Sequence, residues 1–218
     1  MRDDQSVLLA EAFVLLALNP DGSPARGASN QSATAVGVTG ALVTELVQQG
    51  HVDLADGRVH LTGSRPTHPL LAQALDNLVP HEGKKLKSRL GAVKHSGWKE
   101  VVDGMVAAGA LGREKHGLRA TRHPVTDPVA HATLLSEVRS AATGDGSIEP
   151  RTAALLALAG PSQLLEIVAP QRADRAQAKR RIAEAAEQVP AAAAVKHVID
   201  SMEAAIAVAA VSAASSSS

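Results

Sequence analysis

Phe13 and Trp98 are the only Phe, Trp or Tyr side chains in this sequence, so any core it builds has to be filled by Leu, Val and Ala. Small and straight apolar side chains suit closely packed helices better than a broad β-sheet. The supply is ample, because 45% of the 218 residues are hydrophobic. That is enough for one large domain or two small ones, and it argues against a disordered chain. Cys is absent, which removes disulfides, thiolate metal ligands and Cys nucleophiles, and fits a reducing or redox-indifferent compartment.

Periodicity supports a mainly α reading. The opening "MRDDQSVLLAEAFVLLALNPDG" carries Asp3, Asp4 and Glu11 against Arg2, so it reads as a core helix over about 5–18 and not as a signal peptide. The turn "NPDGSP" stops it. In "VTGALVTELVQQG" Val38, Leu42, Val43 and Leu46 share a helical face, and Gly50 fits a C-terminal cap. "HVDLADGRVHLT" alternates about "ADG" and predicts a β-hairpin. A helix with Leu70, Leu71, Ala74, Leu75 and Leu78 follows, then a basic segment whose Leu86, Leu90 and Val93 also fit a helix, with a break expected at Gly97. "WKEVVDGMVAAGALGREKHGLRAT" repeats the order of helix, glycine and hairpin. Asp127 and Pro128 fit the cap and first position of another helix to about Ala142, and the rest is helical in pattern. The chain reads as a single domain over 5–214 with a disordered Ser tail at 215–218. The apolar C-terminal run is interrupted by Lys196, Asp200 and Glu203, and falls short of the roughly 20 residues a membrane span needs.

Catalytic and metal signatures are missing. No two His residues lie three or four apart, and neither a phosphate loop nor a nucleophile elbow is present. Asp127 and His131 are one helical turn apart, but Asp127 reads as a cap. The Glu residues of "ELV", "LLEIV" and "AEAAE" sit where solvent-facing roles suffice. No catalytic residue, cofactor or metal is therefore expected. The helix and hairpin at 38–61 outline a winged helix, yet that helix has no Lys or Arg with which to meet a phosphate or a base edge. Its composition argues for burial, and a nucleic-acid partner is the third choice.

Charge is where the sequence becomes informative. "GKKLKSRLGAVKHSGWKE" places six Lys or Arg between Glu82 and Glu100, in a chain of zero formal net charge. A solvated helical face would explain such a run. An anionic partner surface would explain it too.

The segments "LLALNPDG", "GALVTELVQQGHVDL", "PTHPLLAQAL", "VVDGMVAAGAL", "HPVTD" and "PRTAALLALAG" occur in an order and spacing that resembles the Golgi phosphoprotein 3 family, notably its short actinobacterial members, over about 6–208. The resemblance implies a central apolar helix bundle wrapped by amphipathic helices, with two short β-hairpins on one face. It also implies binding of phosphatidylinositol 4-phosphate at a flat basic surface. In the eukaryotic members that surface anchors an adaptor for Golgi glycosyltransferase tails. The family's headgroup pocket has a Trp and an Arg where this chain has Asn30 and Thr39, and two further Arg where it offers His95 and Trp98. The second hairpin, strongly apolar in those members, here reads "KHGLRAT", with Leu118 for insertion.

Lipid contacts are accordingly expected from Lys84, Lys85, Lys87, Arg89, Lys94, His95 and Trp98, and next from Arg113, Lys115, Arg119 and Arg122. The expected protein is cytoplasmic and peripheral on the inner face of the plasma membrane. Its partners are anionic lipid headgroups, with an unidentified protein partner and self-association left open. The alternative is a protein-interaction scaffold without lipid affinity.

Overall fold

A computed structural model describes residues 7–26, 28, 31–115, 121–197 and 200, with backbone alone at 31 and 91–96. The described residues are mainly helical, with one two-stranded antiparallel sheet among them. The helices are α1 (Leu9–Leu16), α2 (Gln31–Gln48), α3 (Pro69–Leu78), α4 (Leu90–Ala107), α5 (Pro128–Thr143), α6 (Pro150–Ala159), α7 (Leu165–Val168) and α8 (Arg175–Glu187), followed by a helical run at 190–197. Strands β1 (Val52–Asp53) and β2 (His60–Leu61) pair Val52 with Leu61 and Asp53 with His60. The mainly α expectation and the first hairpin are both met.

The bundle is organised around α2, which is buried at every position from Ala33 to Leu46 except the half-buried Ala35. It packs against α1, α3, α4 and α6. Glycines permit this crowding. A Cβ at Gly37 would lie 2.4 Å from Ser162 Oγ and 2.5 Å from Phe13 Cζ, and one at Gly40 would lie 2.3 Å from Val195 Cγ2. The third contact comes from the opposite side, where Gly97 of α4 faces Thr39. A Cβ there would lie 3.1 Å from Thr39 Oγ1. The break expected at Gly97 is therefore incorrect: α4 runs unbroken through it, and the missing side chain serves helix approach.

Both helix-to-hairpin junctions close in the same way. At the end of α2, Gly50 has φ 73°, its N–H donates to Val47 O at 3.0 Å, and the His51 N–H donates to Leu46 O at 2.9 Å. At the end of α4, Gly109 has φ 76°, with the equivalent bonds to Val106 O at 3.1 Å and, from Ala110, to Met105 O at 2.8 Å. This is the left-handed glycine cap that returns the last carbonyls to hydrogen bonding. After Gly109 the second hairpin is present as bridges between Leu111 and Val125 and between Glu114 and Arg122. Its tip at 116–120, with Leu118 and Arg119, lies outside the described residues, as does the tail at 215–218.

The helix expected over the basic segment is also corrected. Residues 84–89 run beside the first hairpin: the Val59 N–H donates to Lys84 O at 3.0 Å, the Gly83 N–H donates to Val59 O at 2.8 Å, and Lys85 bridges to Arg58. One short 3-10 turn, Leu86–Ser88, then leads into α4. Leu86 and Leu90 point into the core as their spacing implied. The four-residue step is satisfied by a turn followed by a helix start.

Glu45, expected to face solvent, is buried on α2. Its carboxylate accepts the Leu9 N–H at the start of α1 and Gln49 Nε2 at 3.2 Å, and lies 3.9 Å from the Arg151 guanidinium of α6. Arg151 also donates to Val7 O. One carboxylate thus ties three helices, and Glu11 accepts the Leu8 N–H at 2.8 Å beside it, fixing α1 to begin at Leu9. The Asp127 cap is present, with Oδ1 accepting from Val129 and Ala130 at 3.1 and 2.9 Å. His131 is buried and bonds through Nε2 to Leu15 O at 3.0 Å, a structural use for the pair.

Two stability outcomes follow. Gly40→Ala is expected to cost about 1–3 kcal/mol by overpacking. Adding Val195→Ala, which removes the clashing methyl groups, should then cost less than the two single changes combined, as read by urea denaturation. Glu45→Ala leaves the Leu9 N–H buried without its acceptor and is expected to cost about 1–3 kcal/mol. An unchanged midpoint would show that the α1 start is held elsewhere.

Candidate functional site

Several cations of this protein are neutralised by a neighbouring carboxylate. Arg65 pairs with Asp76 through two bonds at 2.9 and 2.7 Å, Lys99 and Arg113 both pair with Asp103, Arg175 and Arg26 share Glu166, and Lys196 pairs with Asp200. Arg122 lies 3.0 Å from Asp21. The carboxyls respond: hydrogen bonds from Ser23, then the charge of Arg122, hold Asp21 below its usual range, and Lys99 leads Arg113 in doing so for Asp103.

The segment beside the first hairpin gathers unpaired cations within six residues. Lys84, Lys85, Lys87 and Arg89 are all exposed, and among the described residues none of them forms an ion pair. Lys84 Nζ donates to Pro80 O at 2.9 Å, a contact that leaves its charge unbalanced. The extended course of 84–85 and the 3-10 turn at 86–88 bury Leu86 while leaving the flanking cations in solvent. Arg58, from the hairpin, joins them: its guanidinium donates to Gly83 O at 2.8 Å, and its backbone bridges to Lys85. Sequence proximity could not reveal Arg58, because a chain reversal at Gly83 brings it there. The local field registers at His81, whose imidazole is held below its ordinary value by burial first, then by Lys84 and Arg89.

The remaining candidates do not gather at this edge in one set. Arg113 and Arg122 sit on the second hairpin's arms in the ion pairs just described, and Lys115 is exposed and unpaired among the described residues. Arg119 and Asn30 lie outside the described residues, as do the side chains of Lys94 and His95. Thr39 is buried, with Oγ1 donating to Ala35 O at 3.1 Å, so it faces α4 and the interior. Trp98 is half-buried against the core and lines a cleft of about 260 Å³ with Leu18, Pro24, Ala28, Thr34 and Ala35. None of the residues described along that cleft is charged.

Among the described residues, no group of three or more His, Asp or Glu could hold a metal ion, and no helix is long and apolar enough to cross a membrane. What the arrangement offers chemically is a cluster of exposed cations without ion-pair partners beside the first hairpin. No curated protein gives a match to this sequence. A family model described as Golgi phosphoprotein 3 (GPP34) matches residues 9–202, which takes in every described helix, the described arms of both hairpins and the basic edge. The chain belongs to the Golgi phosphoprotein 3 family.

Proposed function

We propose that this protein is a non-catalytic, peripheral membrane-associated protein that binds anionic lipid surfaces through Lys84, Lys85, Lys87 and Arg89, with Arg58 beside them. The observation that carries the reading is their pairing state. In a chain of zero net charge these exposed cations have no carboxylate partner, while Lys99, Arg113, Arg122 and Lys196 each have one. Unbalanced charge on one edge costs self-repulsion in the free protein and is repaid when an anionic surface approaches. Family membership is consistent with such a role. The location it fits is the cytoplasmic face of the plasma membrane, where the surface potential is negative.

Selectivity for phosphatidylinositol 4-phosphate is a separate matter. A phosphate pocket needs oriented cationic forks, and the cleft beside Trp98 has no charged residue along its described lining. Point charges on flexible Lys stems attract any anionic headgroup. Diffuse attraction therefore accounts for the binding, and vesicles containing phosphatidylinositol 4-phosphate should bind no better than phosphatidylglycerol vesicles matched in surface charge.

Vesicle co-sedimentation tests the reading. At up to about 1 kcal/mol per basic residue near an anionic membrane, replacing Lys84, Lys85, Lys87 and Arg89 with Gln is expected to lower partitioning by about two to three orders of magnitude at low salt and to flatten its salt dependence. Arg113→Gln with Arg122→Gln should change it far less. Wild-type protein that ignores phosphatidylglycerol vesicles at low salt would overturn the proposal and favour a scaffold that binds other proteins.

A further inference from the structure

A cleft of about 210 Å³ opens between the turn of the first hairpin and the helical run at 190–197, lined by Asp56, Gly57, Lys85, Lys87, Pro190 and Ala193. Its walls carry both signs of charge. Asp56 is exposed and, like Lys85 and Lys87, has no ion-pair partner among the described residues, so cations and anion line one cleft without neutralising each other. Asp103, by contrast, is engaged by both Lys99 and Arg113. The turn sets the backbone at Asp56, with φ 52° and ψ 29°. The hairpin pairing and the Arg58 contact to Gly83 O hold the turn against the basic segment. Leu54 and Leu86 add apolar lining.

We infer that this cleft takes a zwitterionic phosphoethanolamine headgroup, with the phosphodiester at Lys85 and Lys87 and the ammonium at Asp56. A purely anionic headgroup would meet the two lysines but be repelled by Asp56. A headgroup with phosphate and ammonium on adjacent carbons answers both signs at once, and its primary ammonium can donate hydrogen bonds to the carboxylate. The inference rests on the membrane reading above for the source of the headgroup. It adds that the basic edge does two things: long-range attraction to negative surface, and short-range selection of an amine-bearing lipid.

Soluble headgroups separate the two. Amide shifts of Gly57, Lys85 and Ala193 in nitrogen-15 spectra would be followed during titration with glycerophosphoethanolamine, glycerophosphoglycerol and inorganic phosphate. Diffuse electrostatics favours the last two, which carry more net negative charge. The cleft predicts the reverse, with glycerophosphoethanolamine bound about two- to fivefold more tightly, the scale of one exposed charge pair. Asp56→Asn, which tolerates the same left-handed backbone, should abolish that preference with the fold unchanged. Lys85→Gln with Lys87→Gln should weaken binding of all three. Equal or inverted affinities in wild type, or a preference that survives Asp56→Asn, would overturn the inference. If the preference is absent and wild type still binds phosphatidylglycerol vesicles, the membrane reading stands alone. If the preference is present but those vesicles are ignored, the membrane reading fails and the headgroup cleft remains.

Discussion

The close approach of helices to α2 is what the rest of the molecule depends on. A core without aromatic bulk gains little from any single side chain, so it must gain from many short contacts at small separations. Gly37 and Gly40 on α2 supply the room, admitting Phe13, Ser162 and Val195 to distances a Cβ would forbid, and Gly97 on α4 admits Thr39 to a distance a Cβ would make tight. Closing α2 in on all sides has a functional consequence. It buries that helix from Ala33 to Leu46 apart from the half-buried Ala35, and leaves the hairpin that follows it, with the basic segment laid alongside, as an exposed feature.

Burial of α2 also explains why Glu45 can serve as a junction. The α1 start would otherwise leave a backbone donor inside the protein, and Glu45 supplies the acceptor while Arg151 balances part of its charge. A second internal tie does similar work at the far end, where the buried Arg181 of α8 donates to Ala141 O at 3.2 Å and to Glu184 at 3.0 Å. These ties fix the scaffold without using the cations of residues 84–89. His81 marks the boundary between the two populations. Its depressed imidazole pKa means the unfolded chain takes up the proton more readily, so its contribution to stability is present above about 6.5, the ordinary His value, and is lost as pH falls below it.

Much of this fold was legible from local pattern. Gly50 and Gly109 could be read as caps because the cap needs a left-handed residue just past an apolar face, and Asp127 before Pro128 could be read as a helix start for an equally local reason. The misreadings share one cause: the deciding partner is remote in sequence. Gly97 looks the same whether it breaks a helix or admits Thr39. Glu45 looks exposed until Leu9, 36 residues away, is placed against it. The spacing of Leu86 and Leu90 cannot show that Val59 pairs with the chain at Lys84. The candidate site was legible as a list of basic residues but not as a hierarchy. Arg122 and Lys87 look alike in the sequence, yet Asp21 reaches Arg122 across 101 residues and nothing described reaches Lys87.

That difference in pairing is the centre of the account, and amine footprinting tests it directly. Acetylation of each lysine, read by mass spectrometry with and without phosphatidylglycerol vesicles at low salt, reports which side chains an anionic surface covers. The account predicts strong protection of Lys84, Lys85 and Lys87, with Lys99 and Lys196, each held by a carboxylate, modified as readily as in the free protein. Protection spread evenly over all the lysines, or confined to Lys99 and Lys196, would contradict it.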